Sequence, residues 1–387
     1  MAGVPLNQLS ERLFTPGPTP LPETVRDILS RPIIHHRTGE FQTVLARVTA
    51  ALMRVFNTRL PVLALCAGGT GGMEAAICNI ASSGDTVAVL NAGKFGERWG
   101  KVARAYGLKV VEYTKRWGES FSPEEVAEFL DHDGAEASLL VVTHSETSTG
   151  ALNDLEGITR IARERGKLVI ADVVTSLAVH PIEFDAWGLA AAVAGSQKGL
   201  MLPPGLALVA LSEAAWDRAK RSDLPKFSYN LTLAKDSLAK NSTPFTPPVP
   251  LVLALEESLR LIEDEGLEAV FARHARHARA CRNAVTGLGL ELFADHPSNG
   301  LTAVRVPEDR DGAEVVAHLR ERHAMRIAGG QAPMAGRLFR LGHMGHYRDG
   351  DIRDLLAALD EVLLELAWVD HSKTREIVEA ALGPAGS

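Results

Sequence analysis

Residues 167–176 read KLVIADVVTS and residues 191–205 read AAVAGSQKGLMLPPG. Each is a short apolar run that gives way to polar residues, the first at Asp172 and the second at Gly195-Ser196-Gln197-Lys198. Apolar runs of this length, Leu168–Ala171 and Ala191–Ala194, suit strands buried on both faces. Val62–Leu65, Thr86–Leu90, Leu139–Thr143 and Leu206–Leu211 share the texture, and amphipathic segments such as Glu97–Tyr106, Pro123–Leu130 and Asp154–Arg165 lie between them. That alternation predicts an α/β fold with a mainly parallel sheet, because crossover connections put helices on the sheet faces. Such sheets bind ligands at the carboxyl ends of their strands, which is where Asp172 and Lys198 fall.

Outside this core the pattern changes. FTPGPTPLP (Phe14 to Pro22) is a proline-rich loop, and Thr43–Val55 has helical spacing. NSTPFTPPVP (Asn241 to Pro250) interrupts the alternation, and a long helical stretch runs from Leu251 to about Leu288. Leu301–Val306 (strand), Gly312–Glu321 (helix), Arg337–Gly342 (strand) and Asp351–Leu366 (helix) then form a smaller α+β unit. The expected division is 15–255 and 256–387, with residues 1–14 packed near the smaller unit or a dimer interface. The tail after Val369 is polar and ends in GPAGS, and its last residues are expected to be loose.

A chain of 387 residues buries a large core without staples. A net charge of −7 argues against nucleic acid or an anionic membrane as partner, but leaves a small anionic substrate open. There is no signal-peptide pattern and no apolar stretch long enough to span a membrane. Cys66, Cys78 and Cys281 lack C-x-x-C spacing, so neither disulfides nor zinc are indicated. His35 and His36 are adjacent, which is poor geometry for sharing one metal ion. The expectation is a soluble cytoplasmic protein with no metal.

Three motifs carry chemistry. Ala67-Gly68-Gly69-Thr70-Gly71-Gly72 joins a strand to a helix that opens at Met73, and free backbone N–H groups at a helix N-terminus bind phosphate. Glu74 stands where the last glycine of G-x-G-x-x-G is required, so a dinucleotide fingerprint is excluded. Asp172 ends a strand; alone it would be read as a helix cap. Lys198 is flanked by glycine and apolar residues, which suit a desolvated Schiff-base lysine; alone it would be read as a surface charge. Together they are the parts that pyridoxal 5′-phosphate needs: a phosphate loop, an acid for the pyridine nitrogen and an amine for the aldehyde.

With the loop Thr15-Pro16-Gly17-Pro18 and the strand Arg340-Leu341-Gly342-His343-Met344-Gly345, the chain resembles the class V (fold type I) pyridoxal-phosphate aminotransferases. The likeness is greatest to the alanine/serine–glyoxylate branch. HHRTGEF (His35 to Phe41) and KFGERW (Lys94 to Trp99) resemble a subgroup named for a soluble-hydrogenase subunit. The resemblance implies that Lys198 and Asp172 are catalytic. It implies cofactor contacts from Gly69, Thr70, Gly71, Phe95 (a ring that stacks on the cofactor), Thr147, Val174 and Gln197. Thr246 is implied to reach the phosphate from the partner of a homodimer. Gly17 and Arg340 are implied to hold the substrate, Arg340 by its carboxylate. His144 lies beside these motifs and suits either a cofactor contact or a structural role. The implied activity is ping-pong transamination from alanine or serine to glyoxylate or pyruvate.

Two rivals remain: a cysteine desulfurase or lyase, which needs a reactive cysteine near the cofactor, and a cofactor-binding subunit of a larger complex.

Overall fold

The computed structural model describes residues 11–370 and 374–383. Seven strands form the main sheet: β1 (Leu63–Cys66), β2 (Thr86–Asn91), β3 (Lys109–Thr114), β4 (Leu139–Thr143), β5 (Leu168–Asp172), β6 (Ala191–Gly195) and β7 (Leu206–Leu211). Their order is β1-β7-β6-β5-β4-β2-β3. β6, β5, β4, β2 and β3 run parallel, whereas β7 is antiparallel to both β6 and β1. Two reversals restore the direction, so β1 runs with β6, and the loops after β1, β2, β4, β5 and β6 all leave at one edge.

The inner strands are largely apolar because both faces are covered. Alternate residues feed different cores: Leu140, Val142, Val169, Ala171, Ala192 and Ala194 face one, and Leu139, Val141, Ile170, Ala191 and Val193 face the other. Helices 39–55, 123–131, 155–164 and 249–265 supply the first core, and helices 69–80, 94–105, 213–219 and 231–238 the second. Local sequence starts these helices. Ser122 accepts from the N–H of Glu125, Glu125 returns a bond to Ser122, and Asp154 accepts from Gly157, each cap contributing about 1 kcal/mol.

Two elements differ from the sequence expectation. β3, KVVEYT, went unread because an edge strand is half exposed and carries charges that break its apolar run. The stretch from 251 to 288 is two helices, Val249–Glu265 and Leu267–Gly287, broken at Gly266, where φ is 84°.

A four-stranded antiparallel sheet in the order Glu291–Leu292, Leu301–Arg305, Leu338–Gly342, Ala328–Gly329 packs with helices 312–323, 349–365 and 374–382. Their core takes in Phe14, which stacks on Tyr347, and residues from Ala280 to Leu382. Val270 still belongs to the first core of the main sheet, so the helix Leu267–Gly287 spans both. Arg12–Leu13 pairs with Met325–Arg326 in a separate two-stranded sheet, and with Phe14 in the smaller core this ties the end of the 1–14 segment to the smaller unit. Residues 1–10 and the last four residues of the GPAGS tail lie outside the described residues. Among the described residues no helix is long and apolar enough to cross a membrane.

Candidate active site

The turn that follows β6 carries Lys198. Its side chain is buried, and Nζ donates to the carbonyl of Pro16 at 2.5 Å. Thr19 closes the same contact, with its N–H on Gln197 O and its hydroxyl on Lys198 O. Gly17 has φ +125°, and a Cβ there would sit 2.7 Å from Cδ and Cε of Lys198. The positive φ favours glycine at this position, and any Cβ there would displace the end of the Lys198 side chain. Burial and the nearby guanidinium of Arg340 pull the Lys198 ammonium down to about 8, against the opposing charge of Asp172.

Asp172, the last residue of β5, is buried too. Oδ1 accepts from the N–H of Val174 at 3.0 Å, and Oδ2 from the indole N–H of Trp99 at 3.1 Å. Burial outweighs these bonds and the charges of Arg98 and Lys198, and pushes the carboxyl up to about 6. The helix-cap alternative does not hold, because a turn and not a helix follows β5.

Val174 also covers Gly69, at the start of the helix Gly69–Ile80. No side chain caps that helix, so its first N–H groups face the sheet edge. Thr70 lies there and accepts from Arg98 at 3.2 Å, and the backbone at Gly71 passes beside the hydroxyl of Tyr229. Arg98 lies over the ring of Phe95, 4.8 Å from its centroid. Phe95, Arg98 and Trp99 therefore form one face of the helix Lys94–Ala105.

Arg340 comes from an inner strand of the smaller sheet, Leu338–Gly342. Nη1 donates to Thr147 O at 2.8 Å, and Nε and Nη2 donate to Gly329 O at 3.2 and 2.7 Å. Three of a guanidinium's five N–H groups are thus engaged among the described residues. Burial lowers Arg340 to about 10, with the charge of Glu146 opposing.

Asp172, Val174, Lys198, Gly17, Arg340 and Thr147 therefore converge, with Gly69, Thr70, Gly71 and Phe95 along the same edge. Gln197 adjoins them, its buried Oε1 without a hydrogen-bond partner among the described residues. Thr246 is not brought to this edge. It is exposed in the loop after helix 231–238 and lines a cavity of about 310 Å³ with Cys66, Tyr229 and Phe245. The ring of His144 packs against His180 and Trp187, and its buried Nδ1 has no hydrogen-bond partner among the described residues. Cys66 is exposed, whereas burial raises Cys78 to about 11 and Cys281 to about 12. Trp99, Arg98 and Glu146 escaped sequence reasoning; only the aromatic and charged residues of KFGERW hinted at the first two.

The family described as Aminotransferase class-V matches residues 23–344. The chain belongs to the class V aminotransferases. It is 42% identical over 373 residues to a protein named soluble hydrogenase, small subunit, from Synechococcus sp. (strain PCC 6716), covering 95% of this chain and 97% of that one. It is 37% identical to the L-aspartate–glyoxylate aminotransferase of Paracoccus denitrificans (strain Pd 1222), covering 92% of this chain and 91% of that one. The crystal structure of an alanine–glyoxylate aminotransferase from Nostoc sp. superposes with a TM-score of 0.89 at 33% identity, covering 94% and 98% of the two chains. A class V aminotransferase is a transaminase of the fold type I architecture, as the sheet order and its covering helices agree.

Proposed function

We propose that this class V aminotransferase binds pyridoxal 5′-phosphate on Lys198 and moves the amino group of alanine or serine to glyoxylate or pyruvate. The observation that carries the reading is the convergence of a buried lysine, a buried strand-end carboxylate and a partly engaged arginine. Residues of this edge fit the cofactor: an uncapped helix start with Thr70 and Arg98 for its phosphate, Asp172 for its ring nitrogen, and Phe95 for its ring face. When bound, the cofactor supplies an aldehyde that condenses with amines and a protonated ring that withdraws electrons.

The chain's own residues do the rest. Asp172, steadied by Trp99 and Val174, holds a proton at the ring nitrogen. Lys198 anchors the cofactor and, once displaced, carries the substrate's α-proton away on Nζ and returns it. Its lowered pKa keeps part of its population a free base near neutrality. Arg340 grips the carboxylate with its remaining N–H groups, and the same site then serves the second substrate in a ping-pong cycle. A homodimer in the cytoplasm, in which Thr246 completes a partner's phosphate site, belongs to the same reading. It is supported by the exposed position of Thr246 beside exposed Phe227 and Phe245. So does the division into residues 15–255 and 256–387, which the separate core of the smaller sheet supports. Cys78 and Cys281 are buried with raised pKa values, which does not favour the desulfurase rival.

The test is an absorbance spectrum. Purified protein with pyridoxal 5′-phosphate should gain a visible band that alanine or serine bleaches and glyoxylate restores. Failure to take up the cofactor, with Lys198→Ala indistinguishable from wild type, would sink the reading. Cofactor uptake should also depend on pH. Because the Lys198 pKa is lowered to about 8, the attacking free amine is scarce below that pH and plentiful above it. The uptake rate should rise about ten-fold per pH unit below pH 8 and level off above it, as stopped-flow absorbance would record. A second variant, Trp99→Phe, removes one donor from the Asp172 carboxylate and raises its pKa further. We expect turnover at neutral pH to fall about ten-fold, with the acidic limb of the rate–pH profile displaced to higher pH. An unmoved limb would show that Trp99 only fills space.

A further inference from the structure

We propose that Glu146 is a positioning residue that holds the Phe95 ring and the Arg340 guanidinium in a common register; this rests on the reading of the site given above. Glu146 sits on a short hairpin, Ser145–Glu146 against Ala151–Leu152, at the carboxyl end of β4. Its side chain is buried. Oε2 accepts from the N–H groups of Phe95 at 3.0 Å and Gly96 at 3.1 Å, in the first turn of the helix Lys94–Ala105. Oε1 accepts from the N–H of Ser148 at 3.1 Å and from its hydroxyl. That hydroxyl in turn accepts from Lys94 N at 3.0 Å. The next residue, Thr147, offers the carbonyl to which Arg340 Nη1 donates.

One hairpin thus fixes two functional groups on separate elements. A helix start is normally satisfied by the residue that precedes it, but here that residue is Gly93, which has no side chain to offer. The carboxylate is brought from a loop more than fifty positions away in sequence, so its task is to join elements. All four bonds are donated to it, and they call for an ionised acceptor. Burial opposes ionisation and holds the carboxyl above its ordinary range, while the bonds from Ser148, Gly96 and Phe95 pull the other way. If the helix start were to swing, the stacking ring, Arg98 and the Trp99–Asp172 bond would move with it. If the hairpin were to shift, Arg340 would lose the carbonyl that aims it. Glu146 couples both.

The experiment compares wild type with Glu146→Gln and Glu146→Asp as full-length protein. Gln keeps the length but turns one acceptor into a donor facing Ser148 or the helix start; Asp keeps the charge on a shorter stem. Cofactor affinity is measured by titrating cofactor-free protein, ring orientation by circular dichroism of the cofactor's visible band, and KM and kcat for alanine and glyoxylate separately. Glu146→Gln should weaken cofactor binding about ten-fold, diminish the dichroic band, and raise both KM values about ten-fold with a smaller fall in kcat. Glu146→Asp should recover part of each. In the pair Glu146→Gln with Phe95→Ala, the combined loss of cofactor affinity should be less than the product of the single losses.

Unchanged dichroism, affinity and KM with only a lower Tm would make Glu146 a plain helix cap and overturn the proposal. It falls equally if neither variant folds, since the residue is then required for folding as a whole. A wild type that takes up no cofactor would instead overturn the functional reading itself.

Discussion

Lys198→Ala is expected to lower turnover by about 10³-fold or more while leaving the fold intact. The amine sits within reach of both charged partners of the site, with its pKa drawn down by burial and by Arg340. Its stem is packed against Gly17 and tethered to Pro16, so no neighbouring amine takes its place among the described residues. Stability should hold or rise, because the substitution removes a buried ammonium whose desolvation opposes folding. Three measurements bear on this. Borohydride treatment followed by peptide mass spectrometry should place the cofactor on the 198 peptide in wild type and nowhere in the variant. The alanine-to-glyoxylate rate should collapse at every pH. A small amine such as methylamine should restore part of it, since the truncated side chain leaves a channel of about its size. Turnover within ten-fold of wild type would remove Lys198 from the mechanism.

Arg340→Gln is the second large effect. The guanidinium is anchored by Gly329 O and Thr147 O, so its outward N–H groups are pre-aimed at a carboxylate. Losing a buried, charge-assisted grip costs about 3–4 kcal/mol, or two to three orders of magnitude in kcat/KM. KM should rise for the amino acid and the 2-oxo acid alike, because both present a carboxylate to the same group. Glutamine can still bond one of the two carbonyls, which limits any structural loss. Lysine should not rescue, since a single ammonium cannot reproduce a planar fork. A further consequence checks the electrostatics. Arg340 is a cation that depresses Lys198, so its removal raises the Lys198 pKa and moves the plateau of cofactor uptake to higher pH. If both KM values stay put and only Tm falls, Arg340 is a clasp between the two sheets and not a substrate group.

Lys198 and Asp172 were visible as the polar ends of apolar runs, because a strand buried on both faces leaves few other places for a charge. The glycine run was legible as the approach to a helix, although the helix begins within it at Gly69 and not at Met73. Trp99 was not. Within KFGERW it is one aromatic among charged residues, and its bond to Asp172 joins positions 73 apart. Glu146 was equally hidden, since its donors at Phe95 and Gly96 belong to another helix. β3 was lost because an edge strand obeys surface chemistry as well as core chemistry.

By itself the sequence determined the alternation of strands and helices and the two-faced apolar sheet, and it marked the lysine and the acid as candidates. These follow from periodicity and from residue chemistry, which are local. Only the tertiary structure decided that β7 runs antiparallel, so that the loop after β1 joins those after β5 and β6 at one edge. Only it decided that Arg340 reaches across from the smaller sheet to Thr147, and that Asp172 and Lys198 are buried deeply enough for their pKa values to approach one another. Burial and Coulomb coupling depend on distances in space, and those are set by how the layers pack.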